Sequence, residues 1–442
     1  MSGGRSLPLI RSVTARQIHD SRGRPTVEAD VVLGDGTVGR ASVPSGASTG
    51  RHEAHELRDR GFSYGGLSVL RAVENVRGEI ATCVSRRNVL EQAEIDAALV
   101  ALDGTKTLER LGGNAILATS LAVSRAAAAW RKVPLHVHLA DLAGCAGPTL
   151  PLPMANILSG GAHARGGMDL QDFLVVPVGA GSLSDALEMI SRVREAAAQL
   201  MTGRGMSTLL ADEGGLSPGF ARVDQALDLM IESFERAHLR PGEEVGIALD
   251  VAASEFFVSG RYALAGQGIS QSGEEMTLFL AGLVGRYPIV SIEDPLEQDD
   301  WANWTAFTSR VRGVQVVGDD LFVTNAERIR RGASEGAANA ALIKLNQNGT
   351  LSGTLAAVAA ARQAGYGTVV SARSGETEDS FIADLAVGTG AGQIKIGSFR
   401  NSERLAKYNQ LLRIESETNL PFAGRAALSL GADARVGQGV GA

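Results

Sequence analysis

The chain has 442 residues, of which 44% are apolar and 21% charged, with a formal net charge of −7. This length fits about two or three domains, and the negative charge gives no general attraction to nucleic acid or anionic membranes. Cys83 and Cys145 lack metal-site spacing, and no segment resembles a signal-peptide core or a membrane span. We therefore expect a cytoplasmic protein that binds neither nucleic acid nor membrane.

The first third of the chain changes from a strand pattern to a helix pattern. Residues 9–45 alternate in polarity, and a turn at Gly34–Gly36 predicts a hairpin. From about residue 68 to 139, apolar residues recur at intervals of three and four, which predicts helices. A Gly- and Pro-rich stretch at 144–153 follows. We predict an α+β domain over residues 1–145 and a second domain over residues 146–442.

The second part repeats a different unit, in which a short apolar run is followed by a helical segment. Successive runs lie 22 to 43 residues apart, close to the length of a βα unit, so we predict a parallel α/β barrel. Each run ends in an ionisable residue: Asp250, Glu293, Asp319, Lys344, Arg373 and Lys395. Because active sites of such barrels lie at the carboxyl ends of the strands, we expect these side chains to meet. The alternative is that they merely mark where buried strands emerge into solvent.

Two of these strand ends carry lysine in a chain that normally uses arginine. Only five of the 42 basic residues are lysine. Arginine stays protonated in proteins, whereas the pKa of a lysine falls readily when it is buried or close to other cations. Lys344 and Lys395 therefore point to chemistry that a guanidinium group cannot perform, and Lys344 is the candidate base.

The acidic strand ends suggest a metal. Carboxylates from Asp250, Glu293 and Asp319 could not all stay ionised at close range without a cation, and oxygen-only ligands favour Mg²⁺. Arg373 and Ser374 suit a phosphate or carboxylate group, and Glu213 is a candidate acid. The residues predict metal-assisted proton abstraction next to a carboxylate, on an anionic substrate. A salt-bridge network at the barrel mouth is the alternative.

The sequence closely resembles the enolase family from about Val13 to Glu417. Long segments carry the resemblance, in the family's order: DSRGRPTVE, VPSGASTG, GGAHA, ADEGG, ALDVAASEF, SIEDPL, VGDDLFVTN, ALIKLNQNGT, RSGETED, QIKIGS and AKYNQLLRIE. The resemblance implies an α/β fold in which an N-terminal α+β capping domain, with a mobile PSGASTG loop, precedes an enolase-type modified (β/α)8 TIM barrel. It also implies a homo-oligomer, either a dimer or an octamer.

The resemblance also implies roles for individual residues. Asp250, Glu293 and Asp319 would hold a first Mg²⁺, and Ser48 would help hold a second that arrives with substrate. Lys344 would take the C2 proton of 2-phosphoglycerate while both metals stabilise the enediolate, and Glu213 would assist departure of the C3 hydroxyl. The implied substrate contacts are His163, Gln171, Asp172, Lys395 for the carboxylate, and Arg373 and Ser374 for the phosphate.

Several positions depart from the family's pattern. Ala372 stands where the family usually has His before the Arg-Ser pair, and Asp172 stands where a longer Glu is usual. Ile396 replaces a common Thr, and Arg24 replaces a usual Asn. The loop after His163 is altered as well. The changes fall on the leaving-group and loop side, whereas the metal ligands and the base are kept.

Three functions are compatible with this pattern. The first is an enolase that interconverts 2-phosphoglycerate and phosphoenolpyruvate in glycolysis and gluconeogenesis. The second is an enolase-like enzyme of phosphonate metabolism, such as a carboxyphosphonoenolpyruvate synthase of a phosphinothricin-type pathway. The third is a catalytically weak enolase fold that serves as a binding protein.

Overall fold

The computed structural model describes residues 7–47, 50–164 and 167–430. The N-terminal part is a three-stranded antiparallel sheet covered by helices, and the predicted hairpin is confirmed as β2 and β3. A five-residue π turn at Val76–Ile80 joins the first two helices. The elements are β1 (Ile10–His19), β2 (Pro25–Leu33), β3 (Val38–Ser42), α1 (Leu70–Asn75), α2 (Ala81–Val84), α3 (Gln92–Asp103), α4 (Gly113–Arg131) and α5 (Leu135–Ala143).

Helix α4 is the centre of this N-terminal part, because almost all of its side chains are buried. It carries a run of small residues and packs against β2 and β3. The approach is closest at Gly39 of β3, where an added Cβ would lie 2.1 Å from the carbonyl oxygen of Ala122. Only glycine fits at this contact, which lets the helix lie directly on the sheet.

The remaining strands form a closed eight-stranded barrel and a small separate sheet. The barrel order is β10-β11-β12-β13-β14-β4-β5-β6, and β7-β8-β9 form the small sheet. The strands are β4 (Leu152–Ser159), β5 (Asp172–Val176), β6 (Gly246–Asp250), β7 (Phe257–Val258), β8 (Arg261–Leu264), β9 (Ile269–Gln271), β10 (Ile289–Glu293), β11 (Gln315–Gly318), β12 (Ala340–Ile343), β13 (Gly367–Ser371) and β14 (Gly392–Lys395).

The six predicted barrel strands are confirmed as β6 and β10 to β14, but the barrel is not wholly parallel. Strand β5 runs antiparallel to both β4 and β6. Among the residues described between β4 and β5 there is no α-helix, and a parallel pair would need such a crossover. The reversal brings Asp172, the first residue of β5, to the end of the barrel where the other strands finish. The small sheet β7-β9 lies between Asp250 and Glu293, which is the longest of the intervals between the predicted strand ends.

Helices surround the barrel and alternate with its strands. They are α6 (Leu183–Gly203), α7 (Val223–Arg236), α8 (Gly273–Val284), α9 (Trp301–Arg310), α10 (Ala326–Glu335), α11 (Leu345–Asn348), α12 (Leu351–Gln363), α13 (Phe381–Gly388) and α14 (Ser402–Glu417). Short 3-10 turns occur at Ser63–Gly66, Gly161–His163, Ala253–Phe256, Ala265–Gln267 and Gly424–Ala427. Among the described residues, no helix combines the length and apolar character needed to cross a membrane.

The segment after α14 closes the amino-terminal end of the barrel. Leu150 exchanges backbone hydrogen bonds with Pro421 and Ala423, each 2.9 Å long, and Leu428 packs among apolar side chains inside the barrel. The several glycines and weak periodicity after Glu417 predict a loose end to the tail; residues 431–442 lie outside the described residues, whereas residues 418–430 are packed in place. The sequence of this segment has no helix or strand pattern because the segment packs as an irregular plug.

A short backbone pairing joins the N-terminal sheet region to the barrel mouth. Ser45 and Gly375 exchange two backbone hydrogen bonds of 2.8 and 2.9 Å. A Cβ on Gly375 would lie 2.3 Å from Asp20 Oδ2, so this approach requires glycine. The pairing places the start of the PSGASTG segment beside the loop that follows β13.

Candidate active site

The carboxyl ends of the barrel strands bring the predicted ionisable residues together. Asp250, Glu293 and Lys395 are the last residues of β6, β10 and β14, and Asp319 and Lys344 directly follow β11 and β12. Parallel strands in a closed barrel finish at the same rim, so these side chains converge although they are far apart in sequence.

Asp294 fixes the backbone that carries Asp319. Asp294 lies between Glu293 and a proline. Its φ is 42°, a left-handed conformation that is uncommon for a residue with a side chain. Its two carboxylate oxygens accept hydrogen bonds from the backbone N–H groups of Asp319 and Asp320, both 2.8 Å. The strained turn after β10 therefore holds the start of the β11 loop.

Two lysines bind the three predicted metal ligands. Lys395 donates through Nζ to Asp250 Oδ2 at 2.7 Å and to Glu293 Oε2 at 2.6 Å. Lys344 donates through Nζ to Asp319 Oδ2. Because Lys395, Asp250, Glu293 and Asp319 are all buried, these charges interact at close range with little screening by water.

The cluster shifts the pKa values of its members in opposite directions. Burial, with repulsion from Asp250 and Asp319, raises the pKa of Glu293 to about 8. Burial alone would raise the pKa of Asp319, but attraction to Lys344 outweighs it, and the pKa lies below its usual value. Burial would likewise lower the pKa of Lys344, yet Asp319 holds it above the ordinary lysine value. The lowered Lys344 pKa expected from the sequence rested on a neighbouring metal and Lys395, and it stays a prediction for the metal-loaded site.

The residues fit a divalent cation. In the part of the chain that the structure describes, Oε1 of Glu293 is buried and has no hydrogen-bond partner. The same is true of Oε1 of Gln171, whose Nε2 donates to Asp250 Oδ2 at 3.1 Å. These two unpaired buried oxygens and the raised pKa of Glu293 indicate that the cluster has too little positive charge. Asp250, Glu293 and Asp319 could hold such an ion, and its charge would compete with Lys344 for Asp319.

A second buried cluster lies beside the first and contains His163, Asp172 and Glu213. Asp172 accepts from Ser159 Oγ at 2.5 Å and pairs with His163 Nδ1 at 2.8 Å. His163 Nε2 lies 3.7 Å from Glu213 Oε1, and Asn156 Nδ2 donates to Glu213 Oε2 at 3.0 Å. The ring thus lies between two carboxylates.

This arrangement favours a charged imidazole. Burial opposes ionisation, but Asp172 and Glu213 together raise the pKa of His163 to about 9. Burial raises the pKa of Asp172. Burial would also raise the pKa of Glu213, yet attraction to His163, together with Arg404, Lys395 and Lys344, outweighs it, and the pKa lies below its usual value. His163 and Glu213 can therefore hold one proton between them at neutral pH.

Arg373 and Ser374 lie in the loop that follows β13, which is flanked in the barrel by β12 and β14. Arg373 donates through Nη1 to Glu53 Oε2 at 3.0 Å and to Asn346 Oδ1 at 2.8 Å. Ser374 Oγ accepts from Arg22 Nη1 at 3.4 Å. The structure thus brings the phosphate-binding pair predicted from sequence to the same mouth as the lysines.

The altered positions differ in their surroundings. Ala372 and Ile396 are buried and apolar, so neither side chain offers a polar group, whereas Arg24 is half-buried on the N-terminal domain. Asp172 makes the contacts described above with its shorter side chain. Ser48, predicted as a metal ligand, and the altered Arg165-Gly166 lie outside the described residues.

Sequence reasoning missed several polar residues of the mouth. Glu53, in the N-terminal domain, binds Arg373, and Gln347, in α11, donates to Asp319 Oδ1 at 2.8 Å. Asp320 is also buried, and burial with repulsion from Asp319 raises its pKa to about 8. Asp320 and Gln347 stand in quoted motifs, whereas Glu53 lies in a polar stretch whose local pattern carries no signal of this contact.

Comparison with protein-family models gives two matches that together span most of the chain. The enolase N-terminal domain matches residues 10–139, and the enolase C-terminal TIM barrel domain matches residues 148–429. The three-stranded sheet with helices and the eight-stranded barrel agree with these two domains. The division at residue 145 stays a prediction. The fold, the two matches and the strand-end carboxylates and lysines all lead to one assignment: the chain belongs to the enolase family, whose activity is that of a lyase.

Proposed function

We propose that the chain catalyses the Mg²⁺-dependent dehydration of 2-phosphoglycerate to phosphoenolpyruvate. The observation that carries this proposal is the pair of lysines, Lys344 and Lys395, among the buried carboxylates Asp250, Glu293 and Asp319. Bound Mg²⁺, two ions per site, would supply the positive charge that stabilises negative charge developing on the substrate carboxylate. Asp250, Glu293 and Asp319 would hold the first ion, and Ser48 would take part in holding the second.

The chain's own residues divide the reaction between two sides of the mouth. Lys344 would take the proton from C2 as the neutral amine, a state that requires its pairing with Asp319 to be released. Lys395 would orient the carboxylate, and Arg373 with Ser374 would bind the phosphate. The hydroxyl on C3 leaves as water, and its proton would come from the His163–Glu213 pair. The high pKa of His163 supports this assignment, because the proton is present at neutral pH. Gln171 and Asp172 would position this side.

The test is the formation of phosphoenolpyruvate from 2-phosphoglycerate, followed by ultraviolet absorbance and checked by phosphorus NMR. We expect turnover that needs Mg²⁺, stops on chelation and is lost in Lys344→Ala. A folded, Mg²⁺-loaded protein that forms no phosphoenolpyruvate would contradict the proposal.

A second candidate is an enolase-like reaction of phosphonate metabolism, such as that of a carboxyphosphonoenolpyruvate synthase. Two observations favour it: Ala372 offers no polar side chain beside Arg373, and Asp172 is one methylene shorter than the usual Glu. Such an enzyme would keep the metal cluster and Lys344 but take a different phospho- or phosphono-carboxylate. Turnover of a phosphono-carboxylate without turnover of 2-phosphoglycerate would select it. Metal binding with turnover of neither would select the weak binding protein.

A further inference from the structure

Glu53 of the N-terminal domain forms an ion pair with the guanidinium group of Arg373, to which the proposed function assigns the substrate phosphate. Its Oε2 accepts from Arg373 Nη1 at 3.0 Å, and its Oε1 lies 3.4 Å from Nη2. Both side chains are nearly inaccessible, with exposed fractions of 7% for Glu53 and 3% for Arg373. The contact joins residues 320 positions apart, so it links the two domains at the mouth.

The same carboxylate is tied to the segment that precedes it. Glu53 Oε1 accepts from the backbone N–H of Gly50 at 2.9 Å, at the end of the PSGASTG motif. A Cβ on Gly50 would lie 2.7 Å from Val323 and 3.1 Å from Asp320 Oδ1, so this end of the motif lies against the β11 loop. Glu53 therefore fixes where the motif returns to the mouth.

A third connection leads from Glu53 to the residues around Lys344. Gln347 Nε2 donates both to Glu53 Oε1 at 3.2 Å and to Asp319 Oδ1 at 2.8 Å. Gln347 Oε1 accepts from Thr324 Oγ1 at 2.7 Å, and Thr324 Oγ1 in turn accepts from the backbone N–H of Lys344 at 2.8 Å. One buried carboxylate thus connects Arg373, the PSGASTG motif and the backbone of the proposed base.

We propose that Glu53 is a positioning residue that competes with the substrate's phosphate for Arg373 and aligns Gly50 and Gln347 for the reaction. This inference rests on the proposed function only in taking Arg373 as a phosphate-binding group. A phosphate on Arg373 would lie close to the Glu53 carboxylate, and the two negative charges would repel each other with little screening. Glu53 therefore weakens ground-state phosphate binding and at the same time orders the groups around the substrate.

The two effects act in opposite directions, which separates this role from a merely structural one. Loss of the Glu53 charge should tighten anion binding because the repulsion is gone. It should also slow the reaction, because an amide cannot accept from Arg373 with both of its terminal atoms as a carboxylate can. A residue that only supports the fold would weaken binding and turnover together when it is changed.

The test measures binding of inorganic phosphate in Mg²⁺-containing buffer by calorimetry, which needs no catalysis. We expect Glu53→Gln to bind phosphate about tenfold more tightly than the wild type, by removal of a nearby like charge. Glu53→Asp keeps the charge and shortens the side chain, so phosphate affinity should stay within about twofold while kcat falls. If the protein turns over 2-phosphoglycerate, Glu53→Gln should lower both KM and kcat by about tenfold.

Two reference variants complete the design. Arg373→Gln should weaken phosphate binding, which checks that Arg373 is the group in competition. Glu79→Gln removes an exposed acid of the same domain that pairs with Arg110, and it should leave the phosphate affinity unchanged. Thermal unfolding of each variant shows that the fold is kept.

Unchanged or weaker phosphate binding in folded Glu53→Gln would overturn the inference. Should Glu53→Gln fail to fold, a higher phosphate affinity or undiminished kcat in Glu53→Asp would overturn it instead. Tighter phosphate binding in a protein without lyase activity would support the role of Glu53 and reject the proposed function. Lyase activity of the wild type without tighter phosphate binding in Glu53→Gln would support the proposed function and reject the role of Glu53.

Discussion

The clearest electrostatic consequence of the site concerns the charge on His163. The two flanking carboxylates raise its pKa from 6.5 to about 9, which corresponds to roughly 3 kcal/mol of differential interaction. Because the folded-state pKa is raised, this contribution to stability is fully present below pH 6.5 and is lost as the pH rises through about 9. Asp172 lies at 2.8 Å from the ring and Glu213 at 3.7 Å, so Asp172 carries the larger share.

We therefore predict that Asp172→Asn lowers the pKa of His163 by roughly 1 unit or more, since it removes the nearer negative charge. The measurement is an NMR titration of the histidine side chains, in which His163 is identified by the signal missing from His163→Gln. Asp169→Asn is the matched control, because Asp169 lies three residues away and accepts from the backbone N–H of Gly266 instead. A wild-type His163 that titrates near 6.5, or an unchanged pKa in Asp172→Asn, would refute the reasoning.

Two further predictions concern the metal and the leaving group. Asp250→Asn should leave the fold intact but abolish Mg²⁺-dependent activity, because a neutral amide replaces one of the clustered carboxylates; unchanged Mg²⁺ affinity by calorimetry would contradict the metal assignment. If the chain is a slow enolase, the double variant Ala372→His with Asp172→Glu should speed dehydration by roughly 10- to 100-fold, the effect typical of residues that orient an active group. Exchange of the C2 proton should stay unchanged. A loss of native turnover in that double variant would instead favour a different substrate, and full enolase-level turnover in the unaltered protein would show that neither departure matters.

The barrel could be predicted because its signal is local and repeated. Each apolar run that ends in an ionisable residue is a strand end, and parallel strands place such ends at one rim whatever lies between them. The prediction did not include the reversal of β5, because strand direction depends on how β4 is connected to it. It also did not include the small sheet after β6, whose short strands leave little pattern.

The site was harder to predict wherever a contact joins distant segments. Nothing in the sequence around Glu53 indicates that it reaches Arg373, because the contact depends on how the N-terminal domain meets the barrel. The direction of the Lys344 pKa depends on such a contact as well: Asp319 lies beside the amine and raises its pKa, and pairwise distance decides which charge dominates. Residue types could be predicted from sequence, whereas their pairing required the structure.

The central claim is that Lys344 removes the C2 proton of 2-phosphoglycerate. The most direct measurement is exchange of that proton with D₂O, followed by proton NMR in the wild type and in Lys344→Arg. Wild-type protein should catalyse Mg²⁺-dependent exchange, and Lys344→Arg should be roughly 10²- to 10⁴-fold slower because a guanidinium group cannot act as a base. Near-wild-type exchange in folded, Mg²⁺-binding Lys344→Arg would contradict the assignment of Lys344 as the base.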